Sequence, residues 1–99
     1  MDIECTSIED VRRHIDQIDR EVVALLGRRG KFVTQAAAFK KTTEDVRAPA
    51  RVEQVIHKVR ALADETGASP AVVEKVYRAM IAAFIEEELQ THAHLHAGR

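Results

Sequence analysis

Five charged side chains in this sequence occupy positions where their chemistry is conspicuous: Arg12, Arg29, Lys40, Arg51 and Glu88. Arg29 and Lys40 interrupt a stripe that is otherwise apolar, running Ile8, Val11, Ile15, Ile18, Val22, Leu25, Arg29, Phe32, Ala36, Lys40 in steps of three and four residues. A cation placed in an apolar seam is costly unless an anion meets it, because burial strips its hydration. The stripe therefore calls for an anion, either a carboxylate of the protein or one of a ligand. On a continuous helix the eleven residues between Arg29 and Lys40 make about three turns, so both side chains point the same way, roughly 16 Å apart along the axis. Glu88 repeats the anomaly on a later stripe (Val73, Val76, Tyr77, Met80, Phe84), one turn after Phe84. A carboxyl there accepts a hydrogen bond when ionised and donates one when protonated. Arg51 falls in the first turn of the second helix. Arg12 lies about 100° around the helix from Arg29 and faces elsewhere; in a dimer, that direction can be the partner's cavity.

Two readings of these charges stand side by side. In one, Arg29 or Lys40 forms a buried bridge to Glu88 or extends its charge to water along a flexible stem. In the other, three basic groups and one carboxyl on facing stripes form a site for a small anion. The sequence shows no thiol–histidine pair, no Ser–His–acid order and no glycine-rich phosphate loop. Any chemistry would then come from placed charge and not from a covalent nucleophile.

The elements that must position these groups are helical. The chain has 99 residues, enough for one domain, with 45% apolar residues, four glycines, two prolines and no β-branched runs bounded by turn signals. The pattern predicts helices over about 7–41, 49–66 and 70–91. Ser7 with Asp10 reads as the first N-cap, and Glu9 and Asp10 suit the positive end of the helix dipole. Gly27 and Gly30 lie inside this helix at a cost of about 1 kcal/mol each, yet the heptad phase is the same on both sides of them, which favours continuity. Residues 42–48 read as a polar connection. Pro49 opens the second helix, Gly67 closes it, and Ser69-Pro70 starts the third. The tail from Thr91 reads as polar and fraying. A helix of about 33 residues is about 50 Å long, against a radius of gyration of about 13 Å for a compact domain of this size. Two shorter helices cannot cover such a rod, so an intertwined homodimer is expected.

Other signals are weaker. A net charge of −1 gives no general attraction to nucleic acid or anionic membrane. The Arg28-Arg29-Gly30-Lys31 run resembles a helix-turn-helix element, but the unbroken heptad phase argues against it. No apolar run approaches the ~18–20 residues that span a bilayer. A single cysteine, Cys5, and an acidic N-terminus without a signal-peptide pattern favour the cytoplasm. His92, His94 and His96 alternate, but only His92 and His96 share a helical face, so a solvated tail is a simpler reading than a metal site.

The residues Cys5-Thr6, Val11-Arg12, Ile15-Asp16-Gln17-Ile18-Asp19, Leu26-Gly27-Arg28-Arg29, Phe39-Lys40 and Pro49-Ala50-Arg51-Val52 carry a resemblance. With their spacing, the chain resembles the small all-helical chorismate mutases from residue 5 to about 92, and is most similar to their relatives, the isochorismate-pyruvate lyases. The resemblance implies an all-α fold of three helices in an intertwined dimer with two active sites. It implies that Arg12 crosses to the partner's site to bind a substrate carboxylate and that Arg29 holds a carboxylate within its own site. Lys40 would contact the breaking ether oxygen, and Arg51 would open helix two beside the substrate. Glu88 stands where family members carry Gln or Glu facing the same oxygen; in the Glu variants it must be protonated to donate. Typical mutases have acidic residues where Val52 and Ala48 stand and a small hydroxyl residue at Phe84. The apolar Val52 and Phe84 resemble the lyases and the aminodeoxychorismate mutases, whereas Glu88 in place of Gln looks less like the lyase. The expectation is a cytoplasmic homodimer without metal or organic cofactor that binds a small dianion and converts chorismate to prephenate. Lysis of isochorismate to salicylate and pyruvate, or rearrangement of 4-amino-4-deoxychorismate, is the alternative. The non-enzymatic alternative is a helical dimerisation or regulatory module that uses the seam charges for register.

Overall fold

In a computed structural model that describes residues 3–95, the chain is built from helices alone: α1 (Ile8–Ala37), α2 (Thr43–Arg47), α3 (Pro49–Thr66) and α4 (Pro70–Leu95). It divides into two compact units, one ending at Phe32 and the other starting at Val33.

Helix α1 starts where its cap requires. The Asp10 amide donates to Ser7 Oγ at 3.0 Å, and the Thr6 amide donates weakly back to the Asp10 carboxylate at 3.4 Å. The helix runs unbroken through Gly27 and Gly30. It stops at Ala37, four residues short of the expected end, so Lys40 lies beyond it. The reason is local. The amides of Ala38, Phe39 and Lys40 turn to the carbonyls three residues back, at 3.2, 3.0 and 3.4 Å, which tightens the chain out of α geometry. A competing cap then takes over. Thr42 and Asp45 form a reciprocal capping box, with Asp45 N–H on Thr42 Oγ1 and the amides of Lys41 and Thr42 on Asp45 Oδ2, each 3.1 Å. The amide of Lys41, followed by that of Thr42, holds the Asp45 carboxyl below its ordinary range. The expected polar connection is thus largely a short helix. Its Val46 is 2% exposed, and α2 packs on α4.

Ala48 both ends α2 and precedes α3, in a left-handed conformation at φ 39° and ψ 60°. A non-glycine residue there costs about 1–2 kcal/mol. The cost is offset locally: its amide donates to Glu44 O at 2.9 Å, and its carbonyl accepts the first α3 bond from Val52 at 3.0 Å. Pro49 occupies the first turn of α3. Gly67 closes α3 at φ 80°, with the Ala68 amide donating back to Ala63 O at 2.9 Å. Ser69 Oγ accepts from the Val72 amide at the start of α4.

Helices α3 and α4 pack on each other, burying Ile56, Val59 and Ala63 of α3 and Ile81 of α4. Each fully buried Ile or Val contributes about 1.5–3 kcal/mol. Charged side chains clamp the outside of this pair. Arg78 makes a bidentate contact with Glu53 (2.8 and 2.9 Å) and also holds Glu74 (2.8 Å), which Arg60 meets at 2.6 Å. Hydrogen bonds from Arg78 lower both Glu53 and Glu74 below the usual carboxylate range. By contrast, Ile8, Ile15, Ile18, Val22, Leu25 and Phe32 on the apolar stripe of α1 are 46–69% exposed. Among the described residues no helix is long and apolar enough to cross a membrane.

Candidate active site around Lys40 and Glu88

The second unit brings two of the expected site residues together. Lys40 Nζ lies 2.7 Å from Glu88 Oε2, with side-chain exposures of 26% and 4%. A helical seam does not produce this meeting, because Lys40 is outside α1. The same-face relation expected between Arg29 and Lys40 therefore does not apply. The turn at Ala38–Lys40 lets the lysine stem reach α4, where Glu88 follows Phe84 and Ile81 on the inward side. The contact is close but misaligned. Among the described residues, no donor is placed to make an aligned hydrogen bond to the buried Glu88 Oε2. An unfilled acceptor at a buried carboxyl is costly to keep. The Lys40 ammonium, 2.7 Å away, is the charge that offsets this cost.

The other end of Lys40 is also held. His92, one turn after Glu88 on α4 and 7% exposed, has Nε2 at 2.7 Å from the Lys40 carbonyl oxygen. A carbonyl only accepts, so Nε2 carries the proton. This overturns the reading of residues from Thr91 as a solvated, fraying tail: α4 continues to Leu95 and buries His92 in its last turns. His96 of the alternating histidines lies outside the described residues.

The remaining site candidates are distributed as follows. Phe84 is half-buried on α4, and Val52 is half-buried in the first turns of α3. Arg51 is exposed, and its Nη1 donates to Gln54 Oε1 at 2.7 Å. Arg12 and Arg29 both belong to α1 in the first unit, the former exposed and the latter half-buried.

One arrangement was not expected. Cys5 Sγ lies 3.8 Å from His14 Nδ1, a thiol–histidine proximity that the sequence reading had excluded. With Asp10 these groups lie within 4.8 Å of one another. Their separation by five and four residues, across a helix start, was the signal available. The thiol is not primed as a nucleophile. Partial burial, and then the Asp10 charge, push it above its ordinary range. His14 Nδ1 lies 2.9 Å from the Asp10 carbonyl oxygen, and the Asp10 carboxylate is engaged by Arg13 at 2.8 Å. Local contacts at the start of α1 account for the cluster.

Residues 11–89 match the family of type II chorismate mutases. The chain belongs to that family. It is also 33% identical over 87 residues to an isochorismate pyruvate lyase of Pseudomonas aeruginosa, covering 88% of this chain and 86% of that protein.

The geometry generates a stability prediction that needs no substrate. Removing one partner of a buried pair leaves an uncompensated charge, whereas replacing both with apolar groups does not. Lys40→Met should destabilise the fold by about 3 kcal/mol, and adding Glu88→Leu should recover most of that loss. Urea unfolding at fixed protein concentration measures both. A double variant as unstable as the sum of the two single variants would show that the two groups are not coupled.

Proposed function

We propose that the protein is a chorismate mutase-type pericyclic enzyme that converts chorismate to prephenate. The reading rests on the buried contact between Lys40 and the under-bonded Glu88 in a chain of this family. Chorismate is a dianion in which an enolpyruvyl ether is joined to a ring. In the rearrangement the ring carbon–oxygen bond breaks while the enolpyruvyl methylene bonds to the ring carbon that bears the carboxylate. Negative charge develops on the ether oxygen as its bond breaks. A lysine ammonium directed at that oxygen stabilises the transition state more than the substrate, which is what accelerates a reaction. Glu88 assists as a neutral donor; as a carboxylate it would repel the developing charge. Arg29 of the same chain and Arg12 of a partner chain hold the two carboxylates, and Arg51, Val52 and Phe84 line the ring side. Holding the side chain folded over the ring removes entropy from the barrier. No proton relay, covalent intermediate or metal enters these steps.

A homodimer follows from the same reading. The exposed apolar stripe of α1 needs cover, and a second copy offers a matching stripe. The cytoplasm suits an enzyme with a single free cysteine. A second reading, lysis of isochorismate to salicylate and pyruvate, is favoured by the Pseudomonas relative and by the apolar Val52. It breaks the equivalent ether bond and uses the same Lys40 contact, but moves a ring hydrogen to the methylene carbon instead of forming a carbon–carbon bond.

Purified protein supplied separately with chorismate and isochorismate, with products identified by NMR, tests the proposal. Prephenate from chorismate is expected, reduced about 100-fold or more by Lys40→Ala. Salicylate and pyruvate from isochorismate alone would establish the second reading, and turnover of neither would reject both. The shared site has its own test. Arg12→Ala and Arg29→Ala proteins should each be nearly inactive. When refolded together, their heterodimers carry one intact site and one lacking both arginines. An equal mixture should recover about a quarter of wild-type activity. Heterodimers that form without recovery would contradict the exchange of Arg12.

A further inference from the structure

Lys40 lies in a connection and not on a helix, yet an ammonium that stabilises a breaking bond must be held to within a fraction of an ångström. The side-chain contact to Glu88 cannot supply that placement alone, because a lysine stem has four rotatable bonds and the Glu88 contact is misaligned. We propose that His92 is a positioning residue for catalysis: its Nε2–H, bonded to the Lys40 carbonyl, fixes the backbone from which the ammonium is aimed. The inference rests on the reading of Lys40 as the group that meets the substrate.

Three observations carry it. The bond is short, 2.7 Å, and spans 52 residues of sequence, so it ties the connection to α4 and not to a neighbouring turn. His92 is 7% exposed, which fixes the ring's direction. Glu88 and His92 are separated by four residues on α4, so one helical face grips Lys40 at both ends, ammonium and carbonyl. The backbone on the far side of Lys40 is pinned separately. The amides of Lys41 and Thr42 are bonded to the Asp45 carboxylate. The Lys40 amide makes only a long bond of 3.4 Å to Ala37 O, so the His92 contact is the short tie between the Lys40 backbone and α4.

The test compares three variants. His92→Phe keeps the ring and removes the donor. His92→Asn keeps an amide that is too short to reach the carbonyl, and it substitutes should the Phe variant fail to fold. His92→Gln places an amide N–H close to the position of Nε2. For Phe or Asn, kcat is expected to fall about 10- to 100-fold with KM changed by less than about threefold, and Gln should restore most of kcat. In hydrogen exchange, the amides of residues 38–42 should exchange about tenfold faster in the Phe or Asn variant and return toward wild type in Gln. Unchanged exchange, kcat within about twofold of wild type, or no rescue by Gln overturns the proposal. The exchange measurement needs no substrate. If the wild-type protein turns over neither chorismate nor isochorismate, Lys40 has no catalytic role for His92 to serve and the proposal falls with it, while the exchange result still decides whether the contact holds the connection.

Discussion

A carboxylate 4% exposed at its side chain and a lysine ammonium 2.7 Å away form the interaction on which the surrounding structure depends. Neither charge is stable in an apolar setting alone, so the chain must deliver Lys40 to Glu88 from the end of α1. It does so by ending the helix early. Three tightened turns at Ala38, Phe39 and Lys40 redirect the backbone, and the Thr42–Asp45 box prevents the helix from resuming in register. Val46 then buries against α4, and Ala48 accepts a left-handed conformation so that Pro49 can open α3.

The α3–α4 pair and the Lys40–Glu88 contact differ in how fully their polar groups are bonded. Ile56, Val59, Ala63 and Ile81 supply apolar burial, and Arg78 with Glu53 and Glu74 fastens the outside. These contacts are satisfied: Arg78 meets both carboxylates with aligned hydrogen bonds. The Lys40–Glu88 contact is the opposite case, buried and incompletely bonded. A protein selected only for stability would fill that position with apolar side chains.

Much of this was legible in the sequence, for identifiable reasons. Ser7, Pro49, Gly67 and Ser69-Pro70 carry capping chemistry that does not depend on tertiary context, and each lies at the helix end it announced. The uninterrupted heptad phase correctly outweighed Gly27 and Gly30. The same phase misleads at Lys40, where periodicity extrapolates the helix past Ala37; the overriding signal is the Thr-x-x-Asp box at 42–45, whose polar residues also fit a connection. Lys40 and Glu88 were both singled out as charges on apolar stripes, and that anomaly survives the change in geometry. His92 was missed because its neighbours Gln90, Thr91 and His94 are polar, and only its position four residues after Glu88 pointed inward. Val46 was missed because one valine among charged residues shows no periodicity. The stripe on α1 was legible in the heptad spacing, and its Ile15, Ile18, Val22 and Leu25 are exposed.

On the proposed function, Glu88 meets the ether oxygen as a neutral donor and not as the carboxylate that pairs with Lys40. Binding that turns the Glu88 carboxylate into a neutral donor takes up a proton from solution. Calorimetric titration with a non-reactive bicyclic ether dicarboxylate, repeated in buffers of different ionisation enthalpy, counts that proton directly. Uptake approaching about one proton per site is expected, and it should vanish in Glu88→Gln with binding retained. Binding without proton uptake at any pH from about 6 to 9, or equal uptake in Glu88→Gln, would contradict the account.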